Sequence, residues 1–332
     1  MEIRPLDPHD DKQMRRFHEI AWRAEKDDGR PWNAMFTYDE LATYLRVPTA
    51  DQQLCPVAAY DGEQMVGGGW LTLTLLDNTD KAWCFVCVEP ELRRRGIGSA
   101  LLEHLLDLAR VAGRTTMTSN AAYAFEERDT AAQLQFARRH GFTVANMEVQ
   151  RTLRLPVPEA LLDEIAAESA RHHAHYEIET YVDGIPDELL DSYSRLANQL
   201  ILDAPMGEID YEEEAITPEV LQAKQERTRQ MGRRSYHALA RKDGEVVAHT
   251  DLAIPRGDDE AHQWGTLVRR DHRGHRLGAA VKVANLRQLQ QHHPEAASVV
   301  TTNAEVNAAM IGINERLGFE AVAVVPAFKR AL

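Results

Sequence analysis

The feature that most constrains the fold of this chain is a strand, loop and helix pattern that occurs twice. An apolar run at 83–88 (WCFVCV) leads into the basic, glycine-containing loop 93–98 (RRRGIG), and leucines at helical spacing follow it. The same order returns at 264–280 (WGTLVRRDHRGHRLGAA). The chain therefore contains an internal duplication, and each copy places a buried strand shortly before a helix.

Two further features recur in the same order. An Asp-Gly turn between apolar stretches precedes each loop, at 61–62 and 243–244, and predicts a hairpin. A Gly-Phe step follows each loop, at 141–142 and 318–319, where glycine is expected to end a helix. Each copy therefore predicts a mixed α/β fold in which helices pack on a central sheet.

The segment between the copies sets the expected domain boundaries. Pro156 breaks the preceding strand, so we predict a first domain at 1–155, a linking helix at 156–175 and a second domain at 176–332. The linking helix ends in a histidine-rich stretch (RHHAH), for which a solvated helix end is favoured over a metal site.

Composition argues against several classes of function. The 332 residues include 38 basic and 52 acidic side chains, and the formal net charge of −14 disfavours nucleic acid or an anionic membrane as the main partner. No apolar run is long enough to span a membrane, and the first residues lack a signal-peptide pattern, so a cytoplasmic location is expected. Three cysteines suit a reducing compartment, and Cys84 and Cys87 point to opposite faces of a strand, so no metal site is predicted.

The repeated loop suggests a chemistry. A strand, a basic loop with glycine and a helix start direct free backbone N–H groups and the positive end of a helix dipole at one point, which suits a phosphate. An ordinary helix start with surface arginines explains the first loop equally well on its own.

The order of elements, with the motif R-x-x-G-x-G at Arg93, Gly96 and Gly98, resembles the GNAT superfamily of acyl-CoA-dependent N-acetyltransferases. The resemblance covers nearly the whole chain as two tandem copies, similar to the actinobacterial type that includes mycothiol synthase and acetyltransferases of antibiotic gene clusters. It implies a mostly antiparallel central sheet flanked by helices in each domain, with acetyl-CoA or another acyl-CoA as cofactor. The loop would bind the coenzyme pyrophosphate, and the strand before it the pantetheine arm.

The resemblance implies coenzyme contacts in both copies. In the first copy they are Val86, Cys87, Val88, Arg93, Arg94, Arg95, Gly96, Ile97, Gly98 and Ser99. In the second copy they are Leu267, Val268, Arg273, Gly274, His275, Arg276, Gly278, Ala279 and Asn307. Arg276 replaces the first motif glycine, so coenzyme binding is expected more strongly in the first copy. Helix capping is a comparable explanation of Asn307.

Amide formation from an amine and a thioester needs a base, an oxyanion donor and a proton for the leaving thiolate. The resemblance implies an oxyanion donor at the backbone of Val86 and of Thr266. It implies a base on the same strand, where the first copy has Ala82 and the second has His262. Because alanine cannot transfer a proton, the second copy is expected to be catalytic. An exposed histidine at a strand end is an equally good interpretation of His262.

The third catalytic role departs from the family pattern. The resemblance implies a tyrosine as general acid in the final helix, but the matching positions hold Ala137 and Asn314. Asparagine hydrogen-bonds a thiolate without donating a proton as tyrosine does. Either water protonates the leaving group or this copy is a poor catalyst.

The acceptor amine is expected near an acidic loop of the second copy. The stretch 203–214 would attract a cation, with Glu208 and Asp210 as substrate contacts, although a solvated acidic surface is the commoner meaning of such a run. His249 and Asp251 on the preceding strand are reserve candidates for the base and are also predicted as substrate contacts, with a structural role as the favoured alternative.

The expected function is acyl transfer from acyl-CoA to an amine of a small molecule, with neither nucleic acid nor membrane as partner. The alternative is a non-catalytic acyl-CoA-binding protein, which the missing tyrosines favour. A dinucleotide-binding oxidoreductase fits less well, because the loops lack a clear G-x-G-x-x-G and the hairpins do not suit a doubly wound parallel sheet.

Overall fold

A computed structural model describes residues 1–27 and 29–332, which form two compact units. The unit that we call the N-unit comprises Met1–Glu148, Met206–Asp210 and Ala323–Leu332. The C-unit comprises Val149–Pro205 and Tyr211–Val322. The units differ from the predicted domains because two segments of the second half, including the C-terminus, belong to the N-unit.

The N-unit is built on one mixed sheet. Its strands, in spatial order, are β1 (Glu2–Pro5), β2 (Gln52–Asp61), β3 (Gln64–Thr74), β4 (Lys81–Val88), β5 (Thr116–Asn120) and the N-unit part of β12 (Glu320–Ala331). Only β4 and β5 are parallel, and the other neighbours are antiparallel. β6 (Thr143–Arg154) begins in the N-unit and ends in the C-unit.

Helices cover both faces of this sheet. α1 (Asp11–Trp22) and α2 (Tyr38–Arg46) pack on one face around Trp70. α3 (Ile97–Val111) and α4 (Ala132–Arg139) pack on the opposite face. The leucines that predict α3 from their spacing are buried there, so the apolar stripe read from the sequence is the face that the helix presents to the sheet.

The C-unit repeats the arrangement. Its strands, in spatial order, are β7 (Glu177–Val182), β8 (Arg233–Lys242), β9 (Glu245–Pro255), β10 (Glu260–Val268), β11 (Ser298–Ala304) and the C-unit part of β6. β10 and β11 are parallel, whereas β7, β8, β9 and β10 pair as antiparallel neighbours. The pattern of directions therefore matches that of β1 to β5.

The helices of the C-unit are α5 (Glu159–Ala170), α6 (Asp187–Ala197), α7 (Leu200–Asp203), α8 (Pro218–Gln230), α9 (Leu277–His292) and α10 (Ala308–Leu317). α6 packs against Leu239, Val246 and Leu267 on one face of the sheet. α9 packs on the other face, against Ala238 and Ala248, which alternate with the first set along their strands.

The structure confirms the predicted mixed α/β fold and its duplication. The two Asp-Gly turns join β2 to β3 and β8 to β9, with Gly62 at φ 60° and Gly244 at φ 83°, conformations that favour glycine. α5 lies within the predicted linking segment and belongs to the C-unit. Throughout residues 1–27 and 29–332, no helix combines the length and apolar character that crossing a membrane requires.

Candidate active site

Both basic loops have the same backbone shape. Arg94 (φ 66°) and Gly96 (φ 85°) are left-handed in the N-unit loop, and Gly274 (φ 85°) and Arg276 (φ 57°) are left-handed at the matching places of the C-unit loop. Each loop thus has one glycine and one arginine in this conformation, in opposite order. Arg276 departs from the motif in sequence while keeping the backbone conformation that the motif glycine adopts.

The loops present backbone N–H groups that nothing in the described chain uses. Across the described residues, the N–H groups of 94–99 and of 274–279 have no hydrogen-bond acceptor, although their neighbours on both sides are bonded. α3 begins at Ile97 and α9 at Leu277, so the last of these groups are the free donors of a helix N-terminus. Free donors beside a positive helix end form a binding site for an anion such as a phosphate.

Charge distinguishes the two loops. Arg94 and Arg95 are exposed, and neither forms an ion pair within the described part of the chain. In the C-unit, Arg273 pairs with Asp203 at 2.7 Å and Arg276 with Glu168 at 3.3 Å. The N-unit loop therefore offers uncompensated cations, whereas the C-unit loop offers mainly its backbone donors.

The strand before each loop separates from its parallel neighbour. β4 pairs with β5 only over residues 81–83, and β10 pairs with β11 only over residues 260–262. The backbone N–H of Glu89 donates to Val66 on β3, and that of Arg269 donates to Val247 on β9. Because antiparallel strands alternate the direction of their amide groups, the amides of Val86, Val88, Thr266 and Val268 point away from those hairpin partners. They line the gap that opens beside each strand, as the resemblance implies for a pantetheine arm.

Two other predicted contacts face elsewhere. By the same alternation, Cys87 and Leu267 direct their amide groups to the hairpin partner. Their side chains are buried in the cores on the α1 and α6 faces, respectively. The structure thus places both residues away from the gap in which the amides of their neighbours lie.

In the C-unit, the pairing of β10 with β9 is interrupted next to the gap. The pairing of β10 with β9 shifts between Gln263 and Thr266, whereas β4 pairs with β3 without interruption. The side-chain Nε2 of Gln263 donates to the hydroxyl of Thr250, which lies 2.7 Å from the hydroxyl of Thr266. The irregular stretch, a β-bulge, contains Gly265, and such irregularities commonly occur beside active sites.

A buried acid-base cluster lies beside the bulge. Nδ1 of His249 is 2.8 Å from Asp251, Nδ1 of His237 is 2.6 Å from the same carboxylate, and the hydroxyl of Tyr193 donates to it at 2.8 Å. All four side chains are buried. A Cβ atom built on Gly265 would lie 3.4 Å from Cε1 of His249, so this imidazole borders the interrupted stretch of β10.

The cluster is arranged to hold a negative charge on Asp251. Burial alone would raise the pKa of Asp251, but the charge of His249 and hydrogen bonds from both histidines outweigh burial and hold that pKa well below its ordinary range. Burial and the carboxylate raise the pKa of Tyr193 well above its usual value, so the phenol stays protonated. Within the described chain, Nε2 of His237 and of His249 are buried without a hydrogen-bond partner. Each imidazole therefore has one nitrogen oriented by Asp251 and one buried nitrogen that is not hydrogen-bonded within the described chain.

The N-unit has no ionisable group at the matching positions. The strand register aligns His249, Asp251 and His237 with Gly68, Trp70 and Pro56. Aromatic rings fill this region instead: the ring of Trp70 is tilted against that of Phe85, with centroids 4.5 Å apart, and lies close to Phe17 and Trp83. A Cβ atom on Gly68 would lie 2.7 Å from the ring of Phe17. At these three described positions, the C-unit has acid-base groups beside its gap and the N-unit does not.

His262 lies at the end of the parallel pairing, opposite Ala253 and Val300. Its neighbour Ala261 packs in the core on the α9 face, so His262 projects to the α6 face, as do His249 and Asp251. The structure thus places both predicted bases on the same side of the sheet.

The residues predicted around the final helix form a chain of hydrogen bonds. Asn314 is fully buried, donates to the side chain of Asn303 at 2.7 Å and accepts from the ammonium of Lys282 at 3.1 Å. The side chain of Asn307 accepts from the N–H of Met310 at 3.3 Å and caps α10, in agreement with the capping interpretation.

The acidic loop is divided between the units. Glu208 and Asp210 belong to the N-unit, where the backbone N–H of Glu208 donates to Ala145 and Lys329 donates to the carbonyl of Glu208. Asp203 stays in the C-unit and binds Arg270 and Arg273. The acceptor contacts Glu208 and Asp210 are predicted in the second copy, but the structure places them in the N-unit. In the described residues, no group of three or more His, Cys, Asp or Glu side chains is arranged to hold a metal ion.

Sequence reasoning missed Tyr193, His237 and Lys282. The position of His237 could have been predicted. The Asp-Gly turn at 243–244 sets the register of the hairpin, and this register brings His237 close to Asp251 on the neighbouring strand. Tyr193 and Lys282 look like ordinary residues of amphipathic helices, and nothing local distinguishes them.

Comparison with known proteins agrees with this geometry. Residues 52–144 match a family model described as an acetyltransferase (GNAT) domain, and residues 202–319 match one described as the acetyltransferase (GNAT) family. Among curated proteins, none matches the chain.

Solved structures resemble the whole chain. A tandem GNAT protein from the clavulanic acid biosynthesis pathway is 28% identical, with a TM-score of 0.81, and the match covers 99% of this chain and 98% of that one. A GCN5-related N-acetyltransferase from Sphaerobacter thermophilus is 15% identical, with a TM-score of 0.63 and coverage of 99% and 95%. A putative acetyltransferase from Pyrococcus horikoshii is 13% identical, with a TM-score of 0.59 and coverage of 100% and 89%. The last two share the fold.

Proposed function

Because the chain belongs to the GNAT superfamily as two tandem copies, we propose that it transfers an acyl group from acetyl-CoA or another acyl-CoA to an amine of a small molecule. The proposal assigns the chemistry to the C-unit. The observation that supports this assignment is the buried pair of His249 and Asp251 beside the bulge of β10. The N-unit has glycine and tryptophan at the corresponding positions.

The residues present suit the coenzyme. The free N–H groups of each loop match the oxygen atoms of a diphosphate, and the amides of Val86 and Val88, or of Thr266 and Val268, match the amide groups of a pantetheine arm. When bound, acyl-CoA supplies the acyl group as a thioester, whose carbonyl oxygen gains negative charge during attack by an amine. In the C-unit the N–H of Thr266 is the donor proposed to stabilise that charge.

Within this proposal His249 takes the proton of the attacking amine. Asp251 fixes the imidazole through Nδ1 and leaves Nε2 as the proton acceptor, while the carboxylate charge stabilises the imidazolium that forms. Asp251 already accepts from three buried donors, so orienting the base suits it better than contacting the substrate. His262, on the same face of the sheet, is the rival base.

The proposed role of the N-unit is to bind acyl-CoA without reaction. Its loop offers the uncompensated Arg94 and Arg95, whereas aromatic rings occupy the side of β4 from which an amine would approach. A wholly non-catalytic acyl-CoA-binding protein is the second candidate function, since Asn314 stands where a proton-donating tyrosine is implied. The name of the similar protein from clavulanic acid biosynthesis supports a small-molecule acceptor.

The charged loop supports a prediction about binding. Changing Arg94 and Arg95 together to glutamine is expected to weaken coenzyme A binding to the N-unit by about tenfold, because exposed charge-assisted hydrogen bonds are partly screened by water. Calorimetric titration with coenzyme A at two salt concentrations measures the effect and the loss of salt dependence. Arg110→Gln, at the other end of α3, is the matched control and should leave binding unchanged. An unaltered dissociation constant in the double variant would place the phosphates elsewhere.

Acyl transfer itself is tested with acetyl-CoA and a panel of small primary amines. Release of free thiol that depends on an amine, together with the mass of the acetylated amine, is the expected result. Native mass spectrometry of the purified protein identifies the acyl-CoA that it retains and guides the choice of donor. Binding of acetyl-CoA without amine-dependent thiol release across a broad panel would favour the non-catalytic alternative.

A further inference from the structure

A buried lysine distinguishes the C-unit from its counterpart. Lys282 lies in the second turn of α9 and is only 2% exposed. The two loops align Lys282 with Leu102, which is buried in the apolar core of the N-unit. An ammonium group is rarely buried without a partner of opposite charge, because its desolvation is costly. The C-unit therefore bears the desolvation cost of a buried lysine, whereas the N-unit has an apolar leucine at the same position.

Among the described residues, Lys282 has one hydrogen-bonded neighbour, and the residue type at that neighbour's position also differs between the units. Nζ of Lys282 donates to the side chain of Asn314 at 3.1 Å, and Asn314 donates to Asn303 at the end of β11. The position of Asn314 corresponds to Ala137, another buried apolar residue of the N-unit. Leucine and alanine in one copy thus correspond to lysine and asparagine in the other.

The position of Lys282 relates it to the gap beside β10. Lys282 follows Gly278 by one helical turn, so both residues lie on the same face of α9. A Cβ atom on Gly278 would lie 3.7 Å from Val268 and 3.3 Å from Ile313, so this face looks onto the end of β10 and onto α10. The hydrogen bonds of Lys282 and Asn314 link α9, α10 and β11, the elements around the unpaired edge of β10.

The sheet separates this lysine from the histidine cluster. His249 projects to the α6 face, whereas Lys282 belongs to α9 on the opposite face. The ring of Phe319, 5.6 Å away, is not ionisable, and the acidic groups of α5 near α9 pair with Arg276 and Arg287. Burial lowers the pKa of Lys282 to about 7, close enough to that of a thiol for proton transfer at neutral pH.

We propose that Lys282 is the proton donor to the leaving coenzyme A thiolate in the C-unit, held in place by Asn314. The inference rests on the proposed acyl transfer. The carbon–nitrogen bond forms while the carbon–sulfur bond breaks, and the electron pair of the carbon–sulfur bond goes to sulfur. Lys282 gives that sulfur one proton and becomes a neutral amine. The proton lost by the attacking amine goes to His249. Solvent then reprotonates Lys282 and deprotonates His249, so the amide and a free thiol are the only products.

The test measures the ionisation of coenzyme A bound without an acyl group or an amine. The Arg94→Gln/Arg95→Gln chain is used so that the C-unit dominates binding, and thiolate absorbance in the ultraviolet is followed against pH. Because the thiolate and the Lys282 ammonium stabilise each other as an ion pair, the bound thiol is expected to ionise about 1 to 3 pH units below free coenzyme A. Lys282→Met should return the ionisation to the value in water. Leu102→Met, at the equivalent position of the N-unit, should leave the shift intact.

The outcomes separate the two proposals. An unshifted thiol in the parent chain, or an equal shift in Lys282→Met, overturns the assignment of Lys282 even if amide is formed. Failure of coenzyme A to bind the C-unit overturns the proposed acyl transfer and this inference with it. If Lys282→Met does not fold, Asn314→Ala takes its place, because loss of the group that positions Nζ should reduce the shift, and an undiminished shift counts against the proposal.

Discussion

Replacing His249 with alanine is expected to lower kcat by about 10²- to 10⁴-fold, the usual contribution of a positioned base. Binding of acyl-CoA should change little, because the loop donors and the amides of Thr266 and Val268 do not involve this side chain. Asp251→Asn should lower kcat as well, since the amide no longer stabilises the imidazolium or fixes its orientation. Steady-state rates with the amine found in the panel, and titration with coenzyme A, measure the two effects separately.

The comparison with His262 decides between the two candidate bases. His262→Ala should keep most of the activity if His249 is the base, and His9→Ala, at an exposed site of the N-unit, should keep all of it. The opposite pattern, with full activity in His249→Ala and a large loss in His262→Ala, would assign the base to β10. Circular dichroism of each variant checks that the buried cluster has not unfolded.

The second large effect concerns stability. The lysine side chain has a pKa of 10.5 when unperturbed, and burial lowers the pKa of Lys282 to about 7. Between those values the unfolded chain binds more protons than the folded one, so the free energy of unfolding rises with pH across this window. Below about pH 7 the folded state carries the full free-energy cost of burying the charged Lys282. That cost is roughly 5 kcal/mol, because each unit of pKa shift corresponds to about 1.36 kcal/mol.

Lys282→Met should therefore stabilise the C-unit at about pH 6 and remove the dependence on pH above 7. Losing the hydrogen bond to Asn314 offsets about 1 to 3 kcal/mol of the gain, so a net increase of about 2 to 4 kcal/mol is expected. Denaturant unfolding at about pH 6 and pH 9 measures both quantities. Lys12→Met, on the exposed surface of α1, is the control. A variant less stable than the parent at pH 6 would mean that the buried ammonium is better solvated than its contacts indicate.

Local patterns were sufficient to predict much of the fold. The leucine spacing of α3, the Asp-Gly hairpins and the two loops depend on neighbours a few residues apart, and the structure has them where the sequence indicates. The amide directions of Val86 and Thr266 follow from strand alternation once the pairing is known. The loop donors likewise follow from the helix start.

The acid-base groups could be predicted only in part. His249 and Asp251 stood out on one strand, but Tyr193 reaches their carboxylate from α6, at a distance along the chain that no local pattern encodes. Lys282 is a common helix residue by type, and only the packing of α9 shows that it is buried. The domain boundaries differ for a similar reason, since Pro156 ends a local segment but does not reveal which sheet the last strand joins.

That last strand has a consequence for biosynthesis. Ala327–Ala331 of β12 pair with β5, so the N-unit includes residues that leave the ribosome after those of the C-unit. Until β12 has been made, the N-unit sheet lacks this strand, and the edge of β5 stays open to unwanted pairing. A gene cut at the midpoint would deprive the first fragment of a strand, so the two halves are best expressed together.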